Sequence, residues 1–184
     1  RLGAVVTATD VRPAAKEQVE SLGAKFVAVE DEEFKAAETA GGYAKAMSAE
    51  YQAKQAELTA AHIIKQDVVI TTALIPGRPA PKLVTAAHVA SMKPGSVIID
   101  LAVEAGGNVE GSKPNEVVTT ANGVKIVGLS NMPGRIAADA SALYARNLVA
   151  FLGLMIKDGA LAVDLEEEIL KAAVVTHGGA VVHE

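Results

Sequence analysis

Residues 67–101 read DVVITTALIPGRPAPKLVTAAHVASMKPGSVIIDL and contain one complete strand–helix–strand unit. The β-branched runs 67–72 and 96–101 predict two strands, and Thr85 begins a helix that Lys93-Pro94-Gly95 ends. Both strands are apolar without alternation, which is typical of parallel strands whose two faces are covered by helices. This unit predicts an α/β fold with a parallel sheet.

The same alternation continues on both sides of this unit. Upstream, the pattern predicts a buried strand ending at Asp10, a helix over 14–22, a strand over 25–29 and a helix over 48–65. Together with residues 67–101, these elements predict a doubly wound sheet.

The downstream residues complete the sheet and then depart from the alternation. Asn122-Gly123 predicts a hairpin between 117–120 and 124–127, with the second arm extending the sheet. A long helix over 139–157, a shorter one over 165–172 and a last pairing around Gly178-Gly179 follow. We expect a second domain to begin after Gly134.

Composition excludes several classes of protein. Of 184 residues, 50% are apolar and 21% are charged, which is too hydrophobic for intrinsic disorder. The formal net charge of -5 makes nucleic acid an unfavourable partner, and the lack of cysteine excludes disulfides and thiol nucleophiles. Apolar runs such as 68–75 are too short to span a membrane. We therefore expect an ordered, soluble piece of a cytoplasmic protein.

Asp10 is the first candidate functional residue. An acidic side chain that ends a strand in a nucleotide-binding βαβ unit binds the ribose hydroxyls of a dinucleotide, and a glycine-rich turn is expected roughly 20 residues earlier. That turn is absent from this sequence. The alternative is that Asp10 caps a turn or lies in solvent.

Three later segments, 72–77, 100–107 and 130–135, follow strands at their carboxyl ends. Ligands bind at that edge of a doubly wound sheet, although proline and glycine there are also ordinary turn residues. Within the second segment, Glu104 is either a general base or a solvent-facing carboxylate.

Residues 39–48, TAGGYAKAMS, combine paired glycines with two apolar side chains, Tyr43 and Met47. This composition favours a lid over a bound ligand. The alternative is a loop in which Tyr43 packs against the start of the next helix.

Other signatures of catalysis are missing from the sequence. The four histidines lack the spacing of metal ligands, so we expect no metal; they are His62, His88, His177 and His183. The serines lack the context of a nucleophile elbow, and there is no phosphate-binding Gly-Lys-Ser motif.

Taken together, these segments resemble the NAD(H)-binding component, the alpha subunit or domain I, of proton-translocating nicotinamide nucleotide transhydrogenase. The resemblance runs nearly end to end and rests on residues 6–12, 37–45, 71–81, 95–102, 106–108 and 131–147. Ile-Pro-Gly-x-x-Ala-Pro at 75–81 and Asn-Met-Pro-Gly at 131–134 also look like alanine dehydrogenases, which share the fold. The Gly-Gly-Tyr lid looks like transhydrogenase alone.

The resemblance implies a Rossmann-like NAD(H)-binding domain over 1–133 that lacks its first strand and glycine loop here. Residues 134–184 would form a long helix and a C-terminal segment packing on a second, flavodoxin-like α/β domain. Because the missing loop supplies the N–H groups that bind pyrophosphate, we expect these residues alone to bind NADH poorly. A longer natural chain is expected.

Roles for individual residues are also implied by the resemblance. Residues 10–12 would hold the adenosine ribose, 42–43 would lie in a mobile loop with Met47 beside it, and 73–74 would line the cofactor cleft. Glu104 and Asn131 would lie near the nicotinamide. The implied cofactor-binding residues are Asp10, Val11, Arg12, Gly42, Tyr43, Met47, Ala73, Leu74, Glu104 and Asn131.

The implied activity is direct hydride transfer from NADH to NADP held on a partner component, which requires no catalytic acid or base from this chain. A separate membrane component would translocate protons. The resemblance further implies a homodimer, peripheral to the cytoplasmic side of a bacterial inner membrane.

Two alternatives stay open. Alanine dehydrogenase must move a proton, and its family carries Asp at the position that matches Glu104, where this chain has a side chain one methylene longer. A regulatory NAD-sensing module would share the cleft residues and show no hydride exchange.

Overall fold

The computed structural model describes residues 3–37, 47–75 and 77–183, and contacts divide the chain into two compact units, Arg1–Ser130 and Asn131–Glu184. The elements of the first unit are β1 (Thr7–Ala8), α1 (Pro13–Ser21), β2 (Lys25–Phe26), α2 (Glu32–Lys35), α3 (Ala49–Ile63), β3 (Val68–Thr71), α4 (Ala86–Ser91), β4 (Val97–Asp100), a 3₁₀ helix (Val103–Ala105), β5 (Glu116–Thr119) and β6 (Lys125–Gly128). Those of the second are α5 (Met132–Arg135), α6 (Ala137–Met155), β7 (Ile156–Lys157), β8 (Ala160–Leu161), α7 (Glu168–Ala173), β9 (Thr176–His177) and β10 (Ala180–Val181).

Parallel pairing dominates the first unit. β1 pairs in parallel with β2, and β3, β4 and β6 are parallel neighbours in a four-stranded sheet of order β3-β4-β6-β5. β5 pairs antiparallel with β6 through the predicted hairpin, in which Gly123 takes a φ of 82°. The α/β fold class predicted from the sequence is confirmed.

Two apolar clusters form the core of this unit. The larger surrounds β4 and β6 and contains Ile63, Val84, Val89, Met92, Ile98, Val109, Val124 and Ile126. The smaller lies beside β2 and contains Ala15, Phe26, Phe34 and Tyr51. Helix α3 contributes Tyr51 to one cluster and Ile63 to the other, so it packs against both sheets.

The prediction that the apolar strands are buried on both faces was wrong at two places. Val68 and Ile70 of β3 are 58% and 60% exposed, and Val5 and Val6 before β1 are also exposed. The regular part of the first strand is only Thr7–Ala8, because its described backbone pairing is with the two residues of β2. The face of β3 that carries Val68 and Ile70 is therefore not covered by the described residues, whereas Thr71 on the other face is buried.

The second unit consists of the long helix α6, the short helices α5 and α7, and two hairpins, β7–β8 and β9–β10. α6 covers most of the predicted helix over 139–157, but residues 156–157 form β7 instead of its last turn. The predicted pairing around Gly178-Gly179 is confirmed by β9 and β10. The hairpin of β7 and β8 was missed, although Asp158-Gly159, both at positive φ, carries its signal. Packing of residues 134–184 on a further domain stays a prediction. Within the described ranges, no helix combines the length and hydropathy needed to cross a bilayer.

Candidate functional site

The parallel strands of the first unit all end on the same side of that unit, as two contacts made at the ends of helix α3 show. The Tyr51 hydroxyl in its first turn donates to the Val29 carbonyl after β2 over 3.1 Å. Just beyond its other end, the Gln66 carbonyl accepts from the Ser96 hydroxyl before β4 over 3.2 Å. α3 therefore runs from the carboxyl end of β2 to the amino end of β4. The loops after the parallel strands of both sheets share one edge, where ligands bind in such folds.

Asp10 and Arg12 form a two-point ion pair in the loop after β1. The backbone N–H and Nε of Arg12 donate to Oδ1 of Asp10 over 2.9 and 3.0 Å, and Nη2 donates to Oδ2 over 2.7 Å. Partial burial acts to raise the pKa of Asp10, but the hydrogen bonds and charge of Arg12 outweigh it and lower that pKa. The Asp10 carboxylate is therefore held ionised and oriented. Val11 between them is partly buried.

Gln55 of α3 ties the ends of β1 and β2 together. Its Nε2 donates to the Thr9 hydroxyl over 3.0 Å, and its Oε1 accepts from the Val29 backbone N–H over 3.1 Å. Because Thr9 precedes Asp10 directly, this bridge positions the strand end that carries the carboxylate. The only signal for this bridge in the sequence is a glutamine on the inner face of a polar helix.

Of the three site residues predicted in the lid, Gly42, Tyr43 and Met47, the structure describes Met47. Its side chain is partly buried and packs against the Phe26–Phe34–Tyr51 cluster, and its carbonyl accepts from Gln52 Nε2 over 2.8 Å. Beside it, the Ser48 N–H and hydroxyl both donate to the Glu33 carboxylate. Gly42 and Tyr43 lie outside the described residues, so their role stays a prediction.

Asp100, at the end of β4, is fully buried and organises the loop that follows it. Its Oδ1 accepts from the Thr71 hydroxyl of β3 and from the backbone N–H groups of Ala102 and Asn108, over 3.0 to 3.3 Å. Its Oδ2 accepts from the Val109 N–H over 3.2 Å. Four donors compensate for the lost solvation of this buried carboxylate, so the loop closes around it.

Gly107 is required by this closure. It has a φ of +77°, and a Cβ at this position would lie 2.6 Å from Asp100 Oδ2. A side chain here is therefore excluded both by backbone conformation and by space.

Asn108 is fully buried and links this loop to the loop after β3. Its Oδ1 accepts from the Ala73 N–H over 3.0 Å, and its Nδ2 donates to the carbonyls of Ala73 and Pro81 over 2.9 and 2.8 Å. Its own carbonyl accepts from Leu83 and Val84. Sequence reasoning gave neither Asp100 nor Asn108 a role of its own. The signals were an aspartate ending an apolar strand and a polar residue after two glycines.

The remaining predicted residues take different positions. Ala73 is held in this network and partly buried, while the following Leu74 leaves 58% of its surface exposed. Glu104 lies exposed on the 3₁₀ helix between Asp100 and Gly107. Asn131 belongs to the second unit, where it takes a φ of 50° and its side chain accepts from the Gly134 N–H as the N-cap of α5.

The predicted residues of the first unit thus form two groups at the strand ends. Residues 10–12 follow β1, and Ala73, Leu74 and Glu104 lie on the two loops joined by Asn108. Across the described residues, no cluster of three or more His, Asp or Glu side chains could hold a metal ion.

Comparison with known proteins gives concordant matches. The family model for the alanine dehydrogenase/PNT C-terminal domain matches residues 1–184. An NAD(P) transhydrogenase subunit alpha chain of Rhodospirillum rubrum is 59% identical over 185 residues, which cover 100% of this chain and 48% of that protein. The crystal structure of transhydrogenase from Sinorhizobium meliloti has a TM-score of 0.75 at 61% identity, covering 99% of this chain and 46% of that one.

An L-alanine dehydrogenase structure matches with a TM-score of 0.66 at 24% identity, over 99% of this chain and 45% of that chain, which shows a shared fold. This chain spans about half the length of the curated R. rubrum relative.

Proposed function

The chain belongs to the alanine dehydrogenase/PNT C-terminal domain family, and from this we propose that it is a portion of the NAD(H)-binding component of a proton-translocating transhydrogenase. The observation that carries the proposal is identity along the whole chain to a transhydrogenase alpha subunit, at a level well above its identity to the L-alanine dehydrogenase structure.

The residues at the strand ends fit an adenosine ribose. An ionised carboxylate has about four positions that accept hydrogen bonds. Asp10 uses two at Oδ1 and one at Oδ2 for Arg12, which leaves Oδ2 able to accept a ribose hydroxyl. Its side chain is 27% exposed, so a ligand has access to it. We propose that Asp10 accepts from the ribose while Val11 and Arg12 shape the turn around it.

The two joined loops fit the other end of a dinucleotide. We propose that Ala73 and Leu74 line the cleft, that Glu104 and Asn131 lie toward the nicotinamide, and that Gly42, Tyr43 and Met47 close over the bound nucleotide. Leu74 has the exposed apolar surface that a cleft lining needs. Asn108 holds the backbone of the preceding residue, Ala73, in place through two hydrogen bonds.

Bound NADH supplies the hydride, and NADP on a partner component receives it. Transfer between two nicotinamide rings moves no separate proton, so the task of this chain is orientation and the exclusion of water. We propose that a membrane component translocates protons and that the chain acts as a homodimer, peripheral to the cytoplasmic side of a bacterial inner membrane. The isolated 184 residues would then be inactive.

The test is hydride exchange by the full-length chain mixed with its NADP(H)-binding partner. NADH carrying deuterium at its reactive ring carbon is incubated with NADP, and the mass of the NADPH formed is recorded. We expect deuterium in the NADPH only when both components are present. NADH oxidation that requires pyruvate and ammonia would instead identify an alanine dehydrogenase. NADH binding without exchange would identify a sensing module.

A further inference from the structure

The turn of the β5–β6 hairpin contains Asn122-Gly123, the only Asn-Gly dipeptide in the chain. An asparagine side chain reacts with its own backbone most readily when glycine follows, because glycine has no side chain to hinder the approach. The backbone nitrogen of Gly123 attacks Cγ of Asn122, forms a succinimide ring and expels Nδ2 as ammonia. Addition of water then opens the ring to aspartate or isoaspartate. The dipeptide therefore marks a candidate site of deamidation.

The fold holds the leaving group of this reaction in place. Nδ2 of Asn122 donates to the backbone carbonyls of Val89, Ala90 and Met92 over 3.1 to 3.2 Å. These carbonyls lie at the end of α4, where backbone acceptors lack partners within the helix. The hairpin amide thus caps a helix that lies some 30 residues earlier in the chain.

The other reacting groups have partners of their own. Oδ1 of Asn122 accepts from the Thr120 hydroxyl over 2.7 Å. The Gly123 N–H, whose nitrogen is the attacking atom, donates to the Thr120 carbonyl over 2.9 Å. Ring formation expels Nδ2 and removes the proton from the Gly123 nitrogen. It therefore breaks the contacts with α4 and with Thr120, which requires the hairpin to open.

We propose that Asn122 is a latent deamidation site that these contacts suppress in the folded chain, and that its conversion to aspartate destabilises the same contacts. An ionised aspartate has no donor here, so its carboxylate would face the three carbonyl oxygens of α4. The cap would be lost and replaced by repulsion. Because the reaction is irreversible, the modified fraction records how often the hairpin opens.

This inference is independent of the proposed function. The Gly123 carbonyl accepts from the Gly95 N–H over 3.0 Å, two residues before β4 begins. The hairpin turn therefore lies beside the amino end of β4, and the proposed cofactor cleft lies at the carboxyl end.

The first measurement compares deamidation in the folded and the unfolded full-length chain. Samples in buffer and in guanidinium chloride are kept at the same mildly alkaline pH, and peptide mapping by mass spectrometry follows modification of Asn122. We expect the reaction to be at least about tenfold slower in the folded chain, because it requires local opening. The other four asparagines, none of which precedes glycine, report any effect of the denaturant on the chemistry.

The second measurement is thermal melting of Asn122→Asp, which carries the side chain of the product. We expect its melting temperature to lie several degrees below that of the parent. Gln18→Glu makes the same change from amide to carboxylate at an exposed position of α1 and should leave the melting temperature close to that of the parent.

The outcomes separate the parts of the proposal. Equal rates at Asn122 in the folded and unfolded chain would overturn the protection, and no reaction in the unfolded chain would overturn the assignment of the site. An Asn122→Asp variant as stable as the parent would overturn the link to stability. A variant that fails to fold is the extreme of the expected loss, and the rate comparison on the parent chain does not depend on it.

Discussion

The side chain of Asn108 exchanges two hydrogen bonds with the backbone of Ala73, 35 residues away: Oδ1 accepts from the Ala73 N–H, and Nδ2 donates to the Ala73 carbonyl. This is the pattern by which one backbone strand binds another, here reproduced by a buried side-chain amide. It joins the loops that follow β3 and β4. The position of the proposed cofactor cleft therefore depends on one residue outside it.

Replacing Asn108 by alanine should lower the free energy of unfolding of the full-length chain. The variant loses three hydrogen bonds and leaves the Ala73 N–H and two carbonyls without that partner, at a cost of about 2–4 kcal/mol. Urea denaturation measures it. Gln18→Ala, at an exposed position of α1, is the control and should change stability little. Equal effects of the two substitutions would contradict the linking role of Asn108.

Substitutions at two adjacent glycines distinguish the stability cost of backbone strain from that of steric overlap. Gly106 and Gly107 both have positive φ, of 96° and 77°, but a Cβ at Gly106 meets nothing within 4 Å whereas one at Gly107 lies 2.6 Å from Asp100 Oδ2. Gly106→Ala should cost about 1 kcal/mol through strain. Gly107→Ala should cost clearly more, because the Asp100 carboxylate must move. Thermal melting of both variants is the measurement, and similar melting temperatures would argue against a tight fit around Asp100.

The Asp10–Arg12 pair should contribute to stability in a pH-dependent manner. The pKa of Asp10 is lowered in the folded chain relative to its ordinary value of 3.8, so the stabilisation is present above 3.8 and is lost as the pH falls through the folded-state pKa. The stability difference between the parent and Asp10→Asn should therefore shrink in acid. Denaturation at a series of pH values from neutral into the acid range measures this. A difference that stays constant through the acid range would show that the ion pair does not influence folding.

Glu104 distinguishes the two enzymatic alternatives. If hydride passes directly between nicotinamides, Glu104→Gln should lower the exchange rate by less than about tenfold and leave the shape of its pH profile unchanged, since no proton transfer is lost. A general acid or base would show a loss of about 10²–10⁴-fold with an altered profile. Single-turnover exchange at several pH values provides the measurement.

Asp10 and Glu104 could be proposed as site residues from local pattern, whereas Val11 and Arg12 were implied only by the family resemblance. Asp10 was found as an acidic residue ending an apolar strand, and Arg12 contacts it over a separation of only two residues. Glu104 lies on the segment after β4 that was expected to reach the ligand edge. The lid residues Gly42 and Tyr43 stay a prediction.

Other features could not be predicted because they depend on contacts between distant segments. The exposure of Val68 and Ile70 contradicts the burial that the continuous apolar pattern of β3 predicts. An apolar run indicates a preference for burial, but it does not specify which neighbouring elements will cover the strand. Gln55 bridging Thr9 and Val29 has no local signature either.

The main alternation of strands and helices in the first unit, the hairpin at Asn122-Gly123 and the acidic strand end at Asp10 follow from the amino-acid sequence alone, because side-chain periodicity and turn residues act over a few positions. The burial of Asp100 among four donors and the bonding of Asn108 to Ala73 arise only in the tertiary structure. A buried polar group must find its partners wherever the packed strands bring them, and here the strand pairing of β3 with β4 brings them together from segments tens of residues apart.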